Sequence, residues 1–444
     1  MEENAKKILG SVAIPPEIIE EIKKSVANIA DFGKKIEDHI SQNTTNLLDV
    51  VLFGAISLGA SDIHIEPQEN QIRLRIRLDG VLQDAVFFNQ NIYHNLLSRI
   101  KLLSKIKLNI TNTPQDGRFT ISIEDLLIEI RTSSLPAEYG ESIVMRILNP
   151  KNLVGLESLE LREDLYKIFQ KEIKKPNGMI IITGPTGSGK TTTLYAFLMK
   201  IQNPEIKIIT IEDPIEYHIK GVSQTQVAPE KGYDFPEGLR SIVRQDPDVI
   251  LVGEIRDAET ASITLQASLT GHLVLSTIHT NDAAGTIPRL VDLGMETSSI
   301  ASSLKMVIGQ RLVRKVCSKC STLASPLKEE LLEIEKGLQN LPKELLKTLP
   351  AVAEAMAGKV KIPKISAKGC KDCNFTGYKD RRGLFEVFLV EEDMERFILT
   401  NPPVSEIKKR AIENGMITIY QSGLIEVVLG RTTLEEVKKV VEED

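Results

Sequence analysis

The chain has no tryptophan, and aromatic residues make up only 5% of its 444 positions. Proteins that track single-stranded nucleic acid stack bases on aromatic side chains in a basic groove. A formal net charge of −6 points the same way, so the composition argues against a chain whose main business is coating nucleic acid, while allowing a local basic groove. Long apolar runs are also missing. None approaches the roughly 18 to 20 residues that span a bilayer, and the opening MEENAKKILGSVAIPPEIIEEIKK is too charged for a secretory signal. The cytoplasm is therefore the expected compartment. Cysteine is scarce, and all four copies stand in two C-x-x-C pairs with none left over. That usage suits a metal in a reduced compartment better than a disulfide framework. What is present is ample core material, 42% hydrophobic residues, over a length that suggests about three domains.

The most informative stretch is MIIITGPTGSGKT, residues 179–191, where a short apolar strand runs into a glycine loop ending in lysine and threonine. Gly184, Gly189, Lys190 and Thr191 fill the G-x-x-x-x-G-K-[ST] pattern. Glycines at 184, 187 and 189 let successive N–H groups converge on one anion, and the helix that follows presents its positive dipole end there. The spacing predicts a nucleotide cradle over Gly184, Pro185, Thr186, Gly187, Ser188, Gly189, Lys190, Thr191 and Thr192. Lys190 is expected to reach the β and γ phosphates, and the Thr191 hydroxyl to ligate Mg²⁺.

Around this loop the pattern alternates strand and helix. Strands are predicted at 206–214 (IKIITIEDP), 248–254 (DVILVGE) and 272–282 (HLVLSTIHTND), forming a buried, mostly parallel sheet in an α/β domain. Ligands of such sheets bind at the carboxyl ends of the strands. Three strand ends carry polar groups: Glu212 with Asp213, Glu254, and His279. Glu254 is the best candidate to position water for attack on a γ-phosphate. Gly253 stands where a Mg²⁺-binding aspartate usually precedes that glutamate, so metal binding would lean on Thr191, water, and Glu212 or Asp213. Bland alternatives exist for two of these: a surface pair with Arg256 for Glu254, and hydrogen-bonded packing for His279.

Before the loop, apolar positions at helical spacing through about residue 45 suggest a packing or docking segment. From Asn46 the sequence predicts a compact α+β domain of about 100 residues. It contains a helix over NLLDVVLFGAISLGA, a hairpin turning at Asp79-Gly80, a helix over IYHNLLSRIKLLSKI, and further strands around Asp116-Gly117 and Glu124-Asp125. Arg73, Arg75 and Arg77 alternate along one strand and read as its solvated face. After this α/β domain, Cys317, Cys320, Cys370 and Cys373 would supply four thiolates to a closed, structural Zn²⁺ site, with the stretch between the pairs looping out as a helical excursion. A redox reading is disfavoured because neither pair opens a thioredoxin-like helix. From about Leu384 the tail is expected to be helical.

With these residues in place, the chain resembles the secretion ATPases of the type II secretion and type IV pilus assembly family. SDIHIEP with RLDGVL, and PQDGRF with RTSSLPAEYGESIVMRIL, are similar to the domain preceding the motor. GPTGSGKTTTLY matches the family's nucleotide loop, TIEDPIEY its aspartate box, RQDPDVILVGEIRDAETA its second nucleotide motif and GHLVLSTIHTNDA its histidine box. Gly253 in place of aspartate is typical of the family. The resemblance implies a RecA-like P-loop motor over 177–313, preceded by a PAS-like α+β domain over 46–150 and a linker over 151–176. It also implies a helical segment over 1–45, a tetracysteine zinc subdomain over 314–383 and a helical C-terminal subdomain over 384–444. It further implies that Lys190, Glu254, Glu212, Asp213 and His279 serve ATP hydrolysis. Arg118 and Arg131, with Arg146 behind them, would neutralise the γ-phosphate, and Arg240 and Arg244 would lie near a subunit boundary. The cysteines with GYKDRRGLFE resemble members that drive assembly or secretion rather than retraction, although Asp380 stands where the family often has glycine. The implied assembly is a homo-hexamer, peripheral to the cytoplasmic face of the inner membrane. Its implied partners are a platform protein and the cytoplasmic domain of a recruitment protein. About 45 residues before Asn46 are too few for the extra docking domain of longer relatives. Competing readings are a nucleic-acid motor, a DNA-uptake pilus motor, and a zinc-stabilised scaffold that binds ATP without turning it over.

Overall fold

The computed structural model describes residues 11–41, 43–366 and 368–442, so the first ten residues of the expected N-terminal segment lie outside the described residues. Contacts divide the chain into two units. Among the described residues no helix is long and apolar enough to cross a membrane.

The first unit begins with β1 (Ser11–Ala13), α1 (Pro16–Ser25), α2 (Ile29–His39) and α3 (Thr44–Ser57). It continues through β2 (Asp62–Pro67), β3 (Ile72–Leu78), β4 (Val81–Phe88), α4 (Gln90–Leu103), β5 (Gln115–Ile123), β6 (Leu126–Ala137) and β7 (Gly140–Leu148). The strands form one sheet in the order β1-β5-β6-β7-β2-β3-β4. Period-2 alternation sends Ile72, Leu74, Ile76 and Leu78 into the core with Ile63, Ile65, Phe32 and Leu48, and turns Arg73, Arg75 and Arg77 to the other face. The hairpin turn falls at Asp79-Gly80, both with positive φ. Asp116-Gly117 is not a turn, however, but lies inside β5. A Cβ on Gly117 would come within 2.2 Å of the Ser104 carbonyl oxygen, so its glycine serves a close backbone approach.

The second unit opens with α5 (Glu163–Glu172) and then alternates: β8 (Gly178–Thr183), α6 (Lys190–Ile201), β9 (Ile208–Glu212), β10 (Ser223–Gln226), α7 (Phe235–Val243), β11 (Val249–Val252), α8 (Ala258–Leu269) and β12 (Leu273–Ile278). Next come α9 (Thr286–Asp292), α10 (Thr297–Ser303) and β13 (Leu304–Val316). The sheet runs β10-β9-β11-β12-β8-β13-β16, with parallel pairing from β10 to β13. Every residue of β8, β9, β11 and β12 is buried, as expected of parallel strands covered on both faces. Two apolar clusters, one around Ile181, Ile250 and Val274 and one around Ile180, Leu251 and Leu275, supply those covers.

The excursion between the cysteine pairs contains β14 (Ser321–Ala324), α11 (Lys328–Gly337), α12 (Lys343–Thr348), α13 (Pro350–Met356) and β15 (Ile362–Ile365). It shares a core with the last two of the four closing helices, α14 (Glu392–Ile398), α15 (Val404–Glu413), α16 (Ile419–Val428) and α17 (Leu434–Glu442). Those helices begin later than the sequence suggested. β16 (Tyr378–Leu389) carries LFEVFL on as a strand beside β13, because an aromatic and β-branched run satisfies its backbone as the outer strand of the motor sheet. Asp380 has a φ of 65°, the left-handed conformation that glycine adopts without strain. By contacts, both cysteine turns (317–320 and 366–379) belong with the first unit, while the excursion belongs with the second.

Candidate active site

The glycine loop joins β8 to α6, and its chain path admits only glycine at two points. At Gly184, with φ of 148°, a Cβ would lie 2.4 Å from the Gln310 carbonyl oxygen. At Gly189, with φ of 90°, it would lie 2.8 Å from Gln310 Nε2. Lys190 begins α6 and folds back across the loop, its Nζ donating to the carbonyls of Gly184 (2.7 Å) and Pro185 (3.0 Å). Burial pushes this ammonium down to about 8, with the Glu254 carboxylate pulling upward and the Arg311 guanidinium pressing further downward. The Ser188 hydroxyl is buried and has no hydrogen-bond partner within the protein. Pro185, Thr186, Gly187 and Thr191 are exposed and Thr192 half-buried, so the loop's outer side is open.

Glu254 follows β11 and His279 follows β12, both at carboxyl ends beside the β8 end that carries the loop. The Glu254 carboxylate lies 3.6 Å from His279 Nε2 and forms a close ion pair with Arg256, whose own side chain is exposed. Burial and then the Lys190 charge lower the His279 pKa, with Glu254 opposing, so a neutral imidazole faces the carboxylate at neutral pH. Lys190, Glu254 and His279 thus share one electrostatic neighbourhood. Gly253 has a structural reason: a Cβ there would stand 3.3 Å from both the Glu212 Cα and the Ile211 carbonyl oxygen, and Gly253 N–H donates to that same carbonyl at 2.8 Å. A side chain at this point would press on the β9 backbone, which would have to give by a few tenths of an ångström.

Glu212 is differently placed. It is buried, and its oxygens accept from the Tyr195 hydroxyl, from Thr210 Oγ1 at 2.6 Å and from Gln224 Nε2 at 3.2 Å. In this conformation both of its oxygens are engaged by the protein, while Asp213 is exposed and adds to the negative field on Arg256. For Mg²⁺, which prefers oxygen ligands and retains several waters, the exposed Thr191 hydroxyl and Asp213 carboxylate are suitable donors. Three polar residues at the site carried no sequence signal. Gln310 accepts from Thr193 Oγ1 at 2.9 Å. Buried Arg311 donates to the Asn281 carbonyl at 2.6 Å. Thr183 Oγ1 accepts from Thr280 N–H at 2.9 Å. Only the break from apolar KMVIG to Gln310-Arg311 within one strand could have marked the first two.

In the first unit, strand register aligns the expected arginines. Arg118 faces Arg131, Arg131 faces Arg146, Arg146 faces Asp62, and Asp62 faces Arg77, one row across β5, β6, β7, β2 and β3. The β3 end of this polar face is balanced: Arg73 pairs with Asp84 at 2.7 Å, Arg75 with Glu66, and Arg77 with Asp62 at 3.4 Å. Arg146 shares Asp62 at 3.1 Å, and Arg131 has Glu129 at 3.2 Å. Arg118, Arg131 and Arg146 thus stand side by side at strand spacing where β5 to β7 meet.

The cysteine geometry fits zinc. Sγ separations are 3.8 Å for Cys317–Cys370 and 3.7 Å for both Cys320–Cys373 and Cys370–Cys373, with all four within 4.8 Å of one another. A tetrahedron of Zn–S bonds of about 2.3 Å has edges near 3.8 Å. The N–H groups of Cys370 and Gly377 each point at Cys373 Sγ from 3.2 Å, an arrangement that stabilises a thiolate.

Known proteins resemble this chain over most of its length. The family model described as Type II/IV secretion system protein matches residues 37–439. The type II secretion system ATPase E of Vibrio cholerae is 42% identical over 401 residues, covering 89% of this chain and 75% of that one. The type IV pilus assembly ATPase PilB of Myxococcus xanthus is 38% identical over 422 residues, covering 94% and 71%. Among solved structures, the pilus retraction motor PilT with bound ADP superposes with a TM-score of 0.57 at 26% identity, over 88% of this chain and 95% of that one. The ATPase DotB of Legionella pneumophila shares the fold, with a TM-score of 0.65 at 20% identity over 91% and 97%.

Proposed function

The chain belongs to the type II/IV secretion system protein family and is an ATPase of that family, and from that premise we propose a homo-hexameric motor at the cytoplasmic face of an inner membrane. Its turnover would drive assembly of a type IV pilus or a secretion pseudopilus, through a platform protein and a recruitment protein of that membrane. The observation that carries the catalytic half is the meeting of Lys190, Glu254 and His279 at three adjacent strand ends beside the glycine loop.

In this reading Lys190 exchanges its two carbonyl partners for the β and γ phosphates, and the 184–191 backbone closes around them. Glu254 accepts a hydrogen bond from the attacking water and orients it. Neutral His279, beside Glu254, donates to the γ-phosphate and so registers its presence. Mg²⁺, when bound through Thr191 with help from Asp213, screens the phosphate charge. Arg118, Arg131 and Arg146 supply the remaining cationic charge in the assembled ring, and Arg240 and Arg244 lie at its subunit boundary. Glu212 keeps α6 and β9 in register through Tyr195 and Thr210 rather than holding the metal directly. The domain bounds read from the sequence are kept as part of this proposal, and by contacts the two cysteine turns group with the N-terminal unit.

The test is ATP turnover across the sedimentation profile of wild type and Glu254→Gln, with and without DNA. Activity confined to hexameric fractions, lowered about 10²-fold or more in the variant and indifferent to DNA, is the expected result. Equal turnover by monomers would overturn the ring. Unchanged turnover in Glu254→Gln would overturn the water-orienting role, and stimulation by DNA would favour a nucleic-acid motor.

A further inference from the structure

Glu386 is among the most deeply buried charged residues of the second unit, and catalysis as described above does not use it. It lies on β16, and its side chain is 1% exposed. One oxygen accepts the N–H of Ala283 at 3.0 Å, and the other accepts the N–H of Ile419 at 3.1 Å. Ala283 belongs to the loop that follows His279. Ile419 is the first residue of α16, where Thr418 and Gln421 already form a capping box that satisfies other donors of the first turn. Without Glu386 the Ile419 N–H would be an unmet donor in an enclosed place.

The same loop is tied on its other side to the nucleotide cradle. Thr183, the last residue of β8, holds Thr280 through its hydroxyl, and Arg311 holds the Asn281 carbonyl. One residue further on, Asp282 pairs with Lys408 of α15 at 2.9 Å. Burial raises the Glu386 pKa and Asp282 adds to that effect, while the two N–H donors and Lys408 favour the charged form. Residues 280–283 therefore form a short bridge. One end is bonded to the glycine-loop strand and the other to the N-terminus of α16 and to α15.

We propose that Glu386 is a positioning residue for ATP turnover, clamping the His279 loop to the N-terminus of α16 so that nucleotide in the cradle is felt by the C-terminal helices. This rests on the reading of the His279 loop as part of the nucleotide site. The two carboxylate oxygens let one side chain accept from both segments at once. In Glu386→Gln the size is kept, but the amide nitrogen must face one of the two N–H donors, and one tie is lost.

The experiment is hydrogen exchange by mass spectrometry on the full chain, with and without a non-hydrolysable ATP analogue and Mg²⁺, alongside steady-state kinetics. In wild type, nucleotide should slow exchange both at 279–285 and at 419–422. In Glu386→Gln the response at 279–285 should persist and the response at 419–422 should vanish. Its kcat should fall about ten- to a hundredfold with KM for ATP within about twofold. A merely structural role would lower protection in both segments regardless of nucleotide. Should Glu386→Gln fail to fold, Lys408→Met, which removes the neighbouring tie from a half-exposed side chain, should weaken the 419–422 response in the same sense. No response at 279–285 in wild type overturns the site reading and this inference with it. A response there with none at 419–422, an undiminished 419–422 response in Glu386→Gln, or, where that variant does not fold, an undiminished one in Lys408→Met, overturns the inference alone.

Discussion

Lys190 shows how a single residue can be poised by its surroundings. Its ammonium is partly desolvated against two loop carbonyls, with its pKa lowered to about 8. A polyphosphate brought against it favours the charged form and raises that pKa again. The sign follows directly: above about pH 8 the free protein carries a largely neutral lysine and the complex a charged one, so binding takes up a proton. Near pH 7 the lysine is already mostly charged in both states and little uptake remains. Isothermal titration with ATP in two buffers of different ionisation enthalpy should show a buffer-dependent heat at about pH 8.5 that shrinks toward neutrality. At this scale the sequence was highly legible, because a phosphate cradle needs glycine at fixed offsets and a lysine at its end. It was silent on Arg311 and Gln310. Their roles come from lying under Gly184 and Gly189 in space, and no local pattern encodes that proximity.

Among the elements, the tetracysteine module is the clearest case of chemistry setting local structure. Two short turns hold four sulfurs within 4.8 Å of one another, three of the separations close to the edge of a zinc tetrahedron, and the second turn projects Asn374, whose Oδ1 accepts the Ile29 N–H at 2.7 Å. Ile29 is the first residue of α2, so the second cysteine turn holds part of that helix's N-terminus. Wild type is expected to carry one zinc per chain by atomic absorption, and Cys373→Ser none. In the variant, limited proteolysis should cut within 366–379, and the Ile29 amide should lose its protection from exchange, because metal binding supplies the folding free energy of such turns. Zinc retained by Cys373→Ser would contradict the assignment. The C-x-x-C spacing announced that the four sulfurs would gather. It did not announce that the turns would group with the N-terminal unit, because the chain separating them is long enough to return to either unit. Local pattern also misled at Asp116-Gly117, where a turn-forming dipeptide lies inside a strand because Gly117 lets the Ser104 carbonyl pass.

For the molecule as a whole, the arginine row and the glycine loop belong to different units. The row aligns cations from three strands. If that charge neutralises a γ-phosphate in the ring, Arg118→Ala combined with Arg131→Ala should leave sedimentation and ATP affinity near wild type. Turnover should fall at least about a hundredfold, the scale of removing charge stabilisation from a transition state. A double variant that turns over normally would show the row to be only a solvated face. A buried pair in the first unit, Lys101 with Glu141 at 2.7 Å, illustrates what whole-molecule context adds. Both are nearly inaccessible, and breaking such a pair costs about 3–5 kcal/mol, yet nothing in either local sequence distinguishes them from surface charges.

The order of element types, the glycine turn after β8 and the pairing of the cysteines within each turn were determined by the sequence itself, because each depends on contacts between near neighbours: glycine offsets, apolar runs, cysteine spacing. The tertiary structure alone decided which distant groups share a site. It set Glu254 beside His279, withdrew Glu212 into hydrogen bonds with Tyr195 and Thr210, aligned Arg118, Arg131 and Arg146 in one row, and put Glu386 between Ala283 and Ile419. These outcomes follow from sheet register and strand order, which arise from the simultaneous burial of many side chains far apart in the chain.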